Sequence, residues 1–135
     1  MYIDKDYFLT KIREIDLNNL IKDDSGNIQI EYLNSAIKAA DNMIDSYLSA
    51  VAILPLNTIP DMIKLCSYKI TINILHDRID PNDKPDWVKA GYDEAIQYLE
   101  AISKGDITLN IPSYEMKNNG INFKSGENIF NNRIM

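Results

Sequence analysis

The clearest pattern of apolar and polar positions lies in residues 29–51. Apolar side chains recur there at alternating spacings of three and four residues, at Ile30, Leu33, Ile37, Ala40, Ile44, Tyr47 and Val51. This spacing places them on one stripe of an α-helix, which Leu48 widens. Lys38 and Asp41 fall off the stripe. The pattern predicts a long helix with one buried face, which ends before Pro55.

A second helix is predicted from Thr58 onwards. Thr58 can cap the N-terminus, Pro60 is tolerated in the first turn, and Asp61 faces the positive end of the helix. Residues 62–75 are apolar on most sides, which predicts a central position in a bundle. Residues 70–75 alternate and are β-branched, so a strand is an alternative, but continuity with the preceding helical run favours a helix.

Four further patterns complete the predicted architecture. Residues 86–104 carry a helical stripe that Gly105 ends, and residues 4–12 predict a short N-terminal helix. Residues 23–27 form an acidic turn before the long helix, and residues 107–111 alternate strictly, as a short strand does. The predicted fold class is an all-α bundle of about four helices with a short β-like segment and an extended C-terminal arm.

The last stretch of the chain, residues 112–135, differs from the helical domain predicted for residues 1–111. It contains six asparagines, two glycines, no alanine and no leucine. Its apolar side chains are widely spaced, and the ones we predict to be interface anchors are Ile121, Phe123, Ile129, Phe130 and Ile134. Such a segment buries too little apolar surface to fold alone. Its aromatic residues therefore predict an arm that becomes ordered against a partner, for example by adding a strand to an exposed edge.

Composition places the chain among ordinary globular proteins of one domain, with 45% apolar and 25% charged residues. The net charge of −6 is uneven, because residues 1–112 carry −7 and residues 113–135 carry +1. An acidic body argues against binding to a phosphate backbone, which needs clustered Lys and Arg. It suits a surface that nucleic acid passes without adhering.

The residue types that carry chemistry are sparse. Cys66 and His76 are each alone of their kind, so we expect a buried apolar thiol and a surface or helix-capping histidine. The turn at residues 23–27 lacks the carboxylates that a calcium loop needs at its first and last positions. We therefore expect no catalytic residue, no metal and no cofactor.

Two absences bear on location. The N-terminal residues lack the basic and apolar regions of a signal peptide, and no apolar run reaches the length that spans a membrane. We expect a protein without a membrane partner, used in a reducing cytoplasm or in a particle assembled there.

Several short motifs follow one another in a characteristic order within residues 1–111. They are Met1-Tyr2-Ile3, Ala39-Ala40-Asp41, Leu54-Pro55-Leu56 with Ile59-Pro60, Ile63-Lys64-Leu65 with Lys69-Ile70, and Tyr92, Ala95, Tyr98-Leu99, Ile102 and Gly105 in the last helix. Together they resemble the Mu-like prophage neck proteins of the head–tail connector (head completion or adaptor) family. The proline-containing segment and the last helix are the more specific parts, and neither is a catalytic signature.

The resemblance implies an all-helical structural protein of a phage virion. Proteins of this kind form a homo-oligomeric ring, widely twelve-fold, beneath the portal protein, and join the head to a tail-side connector or terminator protein. Their arms reach onto the portal or a neighbouring subunit, and DNA passes through the channel without specific binding. The implied location is the neck of the virion, after assembly in the cytoplasm of the bacterial host.

Two other classes of function remain open from the residues alone. One is a small phage-encoded regulatory module that binds a host protein through the C-terminal arm. The other is an enzyme, for which the sequence gives no positive indication and which would need a deep pocket with several convergent polar groups.

Overall fold

The computed structural model describes residues 1–117, which form a helical bundle. The helices are α1 (Lys5–Leu9), α2 (Glu14–Leu20), α3 (Ile30–Leu48), α4 (Asp61–Ile79) and α5 (Asp86–Lys104), followed by one 3-10 turn (Ser113–Glu115). The all-α prediction is confirmed, and no sheet forms within the described residues. Residues 1–117 contain five α-helices, where about four were expected.

The long helices α3, α4 and α5 pack against one another as a trio. The predicted bounds of α3 were a few residues too wide, and those of α5 match the structure. Gly105 ends α5 with a φ of 84°, a left-handed conformation that glycine adopts without a steric penalty. Both helices were predictable because each buries one face and exposes the other.

Helix α4 is the central element and has buried residues on most of its sides. Residues 70–75 are helical, so the strand alternative is wrong: α3 and α5 flank α4, and its own backbone hydrogen bonds are satisfied along the helix. The predicted Thr58 cap is also wrong. Pro60 is the N-cap residue, and no side chain donates or accepts a capping bond there.

The short helix α2 was not predicted from the sequence. Leu17 is the one fully buried residue of α2, so the sequence of α2 contains too few apolar positions to distinguish a helix from a polar loop. Tertiary contacts hold it, because the Arg78 guanidinium of α4 donates to the backbone carbonyls of Leu20 at 2.7 Å and Lys22 at 3.1 Å. The preceding helix, α1, is shorter than predicted but buries Phe8 as expected.

The segment after α5 is not a strand. Residues 107–111 run without ladder pairing, and the described part of the chain contains just two isolated β-bridges, Lys22 with Ile28 and Ala52 with Met116. The prediction of a short β-like segment there is wrong, because alternation alone does not make a strand without a neighbouring edge. Leu109, at 2% exposure, instead anchors this segment in the core.

The buried apolar side chains form two clusters that share α4. The first lies around the loop between α3 and α4 and includes Leu48, Ile70 and Leu99. The second lies at the other end of the bundle, where α1 and α2 close it, and includes Leu33 and Ile72. Within the described residues, no helix combines the length and apolarity needed to cross a bilayer.

Candidate interaction surface

The chain after α5 returns to the loop that follows α3 and is fixed there by backbone bonds. The Ile53 N–H donates to the Glu115 carbonyl at 2.8 Å, and the Lys117 N–H donates to the Val51 carbonyl at 2.9 Å. Residues 112–117, which the sequence assigned to the arm, are thus packed on the helical body. The fold therefore fixes the position of Lys117 beside Val51.

A buried carboxylate reinforces this attachment. The Glu115 side chain is 3% exposed, and its Oε1 accepts the N–H of Asn57 at 2.7 Å and of Thr58 at 3.2 Å. Burial by itself raises the pKa of this carboxyl, but the bonds from Asn57 and Thr58 outweigh it and lower the pKa below 4.5. Thr58 thus serves as a backbone donor to Glu115 rather than as the cap of α4.

The predicted arm anchors, Ile121, Phe123, Ile129, Phe130 and Ile134, lie outside the described residues. Their role as anchors stays a prediction.

A groove runs between α4 and α5 and contains two pockets, which we call the Trp87 pocket and the Met62 pocket. The Trp87 pocket, of about 600 Å³, is lined by apolar parts of Tyr68, Ile72, Trp87, Val88 and Gly91, among others. The Met62 pocket, of about 540 Å³, has Met62, Leu65, Tyr98 and Ile107 in its lining. An ion pair between Lys69 Nζ and Glu94 Oε1, at 2.9 Å, borders both pockets and divides the groove.

The α4–α5 groove opens on the side of α4 that faces away from α3. Ser67 points to α3, because its Oγ donates to Asp41 Oδ1 at 3.0 Å. Leu65 and Lys69, which line the groove, precede and follow Ser67 by two positions, about 200° around the helix. Their side of α4 is therefore not covered by α3, and α5 forms the other wall of the groove.

The N-terminus is tied to α3 by a buried acid that lies off the apolar stripe of that helix. Asp41 is 8% exposed and accepts the N–H of Tyr2 and the hydroxyl of Ser67, each at 3.0 Å. The Tyr2 hydroxyl donates to Asp45 one turn further along. Burial raises the pKa of Asp41, and the two donated bonds offset part of that shift.

Cys66 and His76, which the sequence singled out as residues that could carry chemistry, have surroundings that fit a structural role. Cys66 is 2% exposed with its Sγ 4.0 Å from the Ala95 carbonyl oxygen, and burial raises the pKa of the thiol to about 11. His76 is half-buried with its ring edge against Trp87, and burial together with Lys84 lowers its pKa. Its imidazole is therefore neutral near pH 7 and does not supply the positive charge that its position near a helix end suggested. Among residues 1–117, no three His, Cys, Asp or Glu side chains group as metal ligands.

Comparison with known proteins gives two findings. The family model described as bacteriophage Mu, Gp36 matches residues 2–124, which include all five helices. The Mu-like prophage FluMu protein gp36 of Haemophilus influenzae is 30% identical over 80 residues, which cover 58% of this chain and 53% of that protein. The match thus spans about half the length of this curated relative.

Proposed function

The chain belongs to the bacteriophage Mu Gp36 family, and from that membership we propose that it is a structural head–tail connector of a phage or phage-derived particle. In this proposal the protein forms a ring of about twelve copies under the portal protein and completes the head. The ring presents a surface to a tail-side connector or terminator protein in the neck of the virion. It acts by assembly rather than by catalysis.

The family match over residues 2–124 carries this proposal. The packing of the molecule supports the proposal, because three long helices that pack against one another form a rigid body that can repeat around an axis. A backbone hydrogen bond also fixes Lys117 beside Val51, which gives the C-terminal segment the same starting position in each copy. A ring subunit needs both properties, a rigid body and a defined origin for its connecting segment.

The charge of the body supports passage of DNA through such a ring. Residues 1–112 carry 18 Asp and Glu against 11 Lys and Arg. On α5, the acidic side chains Asp86, Asp93, Glu94 and Glu100 are all exposed. A surface of this sign repels the phosphate backbone and does not retain it.

The role can be tested in particles made without the protein. We expect deletion of its gene to leave DNA-filled heads and separate tails, and expression of the intact chain in trans to restore tailed particles in electron micrographs. Antibody against the protein should label the head–tail junction. Normally tailed particles in the deletion strain would exclude the connector role, and a stable one-to-one complex with a single host protein would favour the regulatory alternative.

Ring formation calls for a separate measurement. Native mass spectrometry of complexes isolated with the portal protein should give masses that contain a fixed, symmetric number of copies. A copy number other than twelve would correct the stoichiometry, and a single copy per portal assembly would contradict the ring.

A further inference from the structure

We propose that residues 118–135 of one copy dock into the α4–α5 groove of a neighbouring copy, with Phe123 and Phe130 as the main contacts. The inference rests on the proposed function, since a ring requires each copy to hold the next one through a head-to-tail contact. The proposed contact consists of the groove of one copy and the C-terminal segment of the next.

The groove has the character of an unfilled binding surface. Its floor is apolar, and three large apolar side chains at its pockets are exposed, with Trp87 at 56%, Met62 at 45% and Ile107 at 40%. A run of apolar side chains along one groove, interrupted by a single ion pair, is typical of a surface that receives an apolar segment.

The C-terminal segment matches the groove in its order of apolar and charged positions. Its apolar residues fall into an inner pair, Ile121 and Phe123, and an outer pair, Ile129 and Phe130. Between the pairs lie Lys124 and Glu127, just as the Lys69–Glu94 ion pair lies between the two pockets. Lys124 is complementary to Glu94, and Glu127 to Lys69. One aromatic residue is available for each pocket.

The length of the segment is sufficient for this placement. Its 18 residues can extend to roughly 60 Å. The groove from Trp87 to Tyr98 follows eleven residues of α5, about 16 Å. The segment can therefore cross to a neighbour and still fill the groove.

The proposed ring favours a neighbouring copy over the same chain. The segment follows Lys117, which is bonded to Val51 just beyond the end of α3. A head-to-tail contact lets every copy both give a segment and receive one, which a closed ring requires.

Two complementary variants of the full chain test the proposal. Gly91→Gln places a bulky side chain in the Trp87 pocket, and a Cβ at Gly91 meets only the flexible Lys69 stem, at 3.5 Å or more, so the helix can accept it. Phe123→Ser/Phe130→Ser removes the aromatic anchors and leaves the groove open. The matched controls are Asp93→Gln, on an exposed part of α5 outside the two pockets, and Asn131→Ser/Asn132→Ser in the segment.

The readouts are light scattering and the emission of Trp87, the one tryptophan of the chain. The wild type should associate as its concentration rises, with Trp87 emission shifting to shorter wavelength. Each test variant should associate roughly tenfold or more weakly, and the controls should behave as the wild type does. An equal mixture of the two test variants should form a dimer that does not grow, because one intact segment meets one open groove.

Three results would overturn the proposal. They are wild-type behaviour of either test variant, failure of the mixture to form a dimer, and a Trp87 emission that does not change with concentration, as docking within one chain would give. The proposed function has a separate outcome: rings on portal-containing particles that survive in both variants would preserve the connector role and remove the groove as its contact.

Discussion

At the scale of single residues, two buried carboxylates tie the ends of the described chain to the helical trio. Asp41 accepts the Tyr2 N–H near the N-terminus, and Glu115 accepts the Asn57 N–H near residue 117. Their pKa values move in opposite directions, because burial dominates at Asp41 and donated hydrogen bonds dominate at Glu115. Both oxygens of Asp41 accept hydrogen bonds, whereas at Glu115 Oε1 accepts two and Oε2 has no partner among the described residues. These donated bonds offset part of the cost of burying each charge.

We predict that Glu115→Gln lowers the melting temperature at pH 7, because the neutral amide makes weaker bonds to the N–H groups of Asn57 and Thr58. The folded-state pKa of Glu115 is lowered, so its stabilisation is fully present above the unfolded value of 4.5 and disappears as pH falls through the folded pKa. The difference in melting temperature between wild type and variant should therefore shrink below pH 4.5. Thermal denaturation of both proteins from pH 7 to pH 3 measures this.

Comparing the two proteins cancels the contribution of Asp41, whose raised pKa acts in the opposite direction with pH. A difference in melting temperature that stays constant down to pH 3 would show that the charge of Glu115 does not stabilise the attachment.

At the scale of elements, α5 carries an unusual residue for a helix interior. Gly91 lies in the second turn of α5, between Trp87 and Glu94 on the groove side. Its φ is not in the left-handed region, so its backbone does not require glycine. The absence of a side chain leaves room in the Trp87 pocket, at a cost to the intrinsic stability of the helix.

Gly91→Ala should stabilise the folded protein by about 0.5–1 kcal/mol, because alanine loses less backbone entropy in a helix than glycine. An added Cβ would lie 3.5 Å from Lys69 Cγ and 3.6 Å from Cδ, which are ordinary contacts. Urea denaturation would show a higher midpoint with an unchanged slope. An exposed-site change on the same helix, Asp93→Gln, is the control, and a lower midpoint for Gly91→Ala would mean that the Lys69 stem cannot adjust.

At the scale of the whole molecule, α4 joins two core clusters into one folding unit. Ile70 belongs to the cluster near the α3–α4 loop, and Ile72 belongs to the cluster closed by α1 and α2. Because the same turns of α4 supply residues to both clusters from different sides of the helix, neither can be lost without exposing apolar surface in the other.

We predict that Leu33→Ala and Leu99→Ala, one in each cluster, each destabilise the protein by about 2–5 kcal/mol and preserve a single unfolding transition. Both leucines have 0% exposure, so each change leaves a cavity. Ile15→Ala, at a side chain with 61% exposure, should change stability by less than about 0.5 kcal/mol. Two separate transitions in chemical denaturation would show that the clusters unfold independently.

The candidate site was the part least accessible from sequence. Apolarity on most sides of residues 62–75 correctly indicated a central helix, but it did not reveal which side would remain uncovered. The ion pair that divides the groove is formed by Lys69 and Glu94, which are 25 positions apart in the sequence. The compositional contrast of residues 112–135 is visible in the sequence, but the groove that we propose as the docking site for part of it is apparent only in the tertiary structure.

By itself, the sequence determined the all-α class and the positions of α3 and α5. A helix that buries one side has apolar residues at every third or fourth position, and this spacing is visible in the sequence. Only the tertiary structure decided that α2 forms, that residues 107–111 stay unpaired, and that Asp41 and Glu115 are buried. These features depend on partners far along the chain, such as Asn57 and Glu115, which are 58 positions apart. The local sequence pattern indicates which face of a helix is buried. A buried charge also needs hydrogen-bond donors, and these come from residues that only the tertiary fold brings near it.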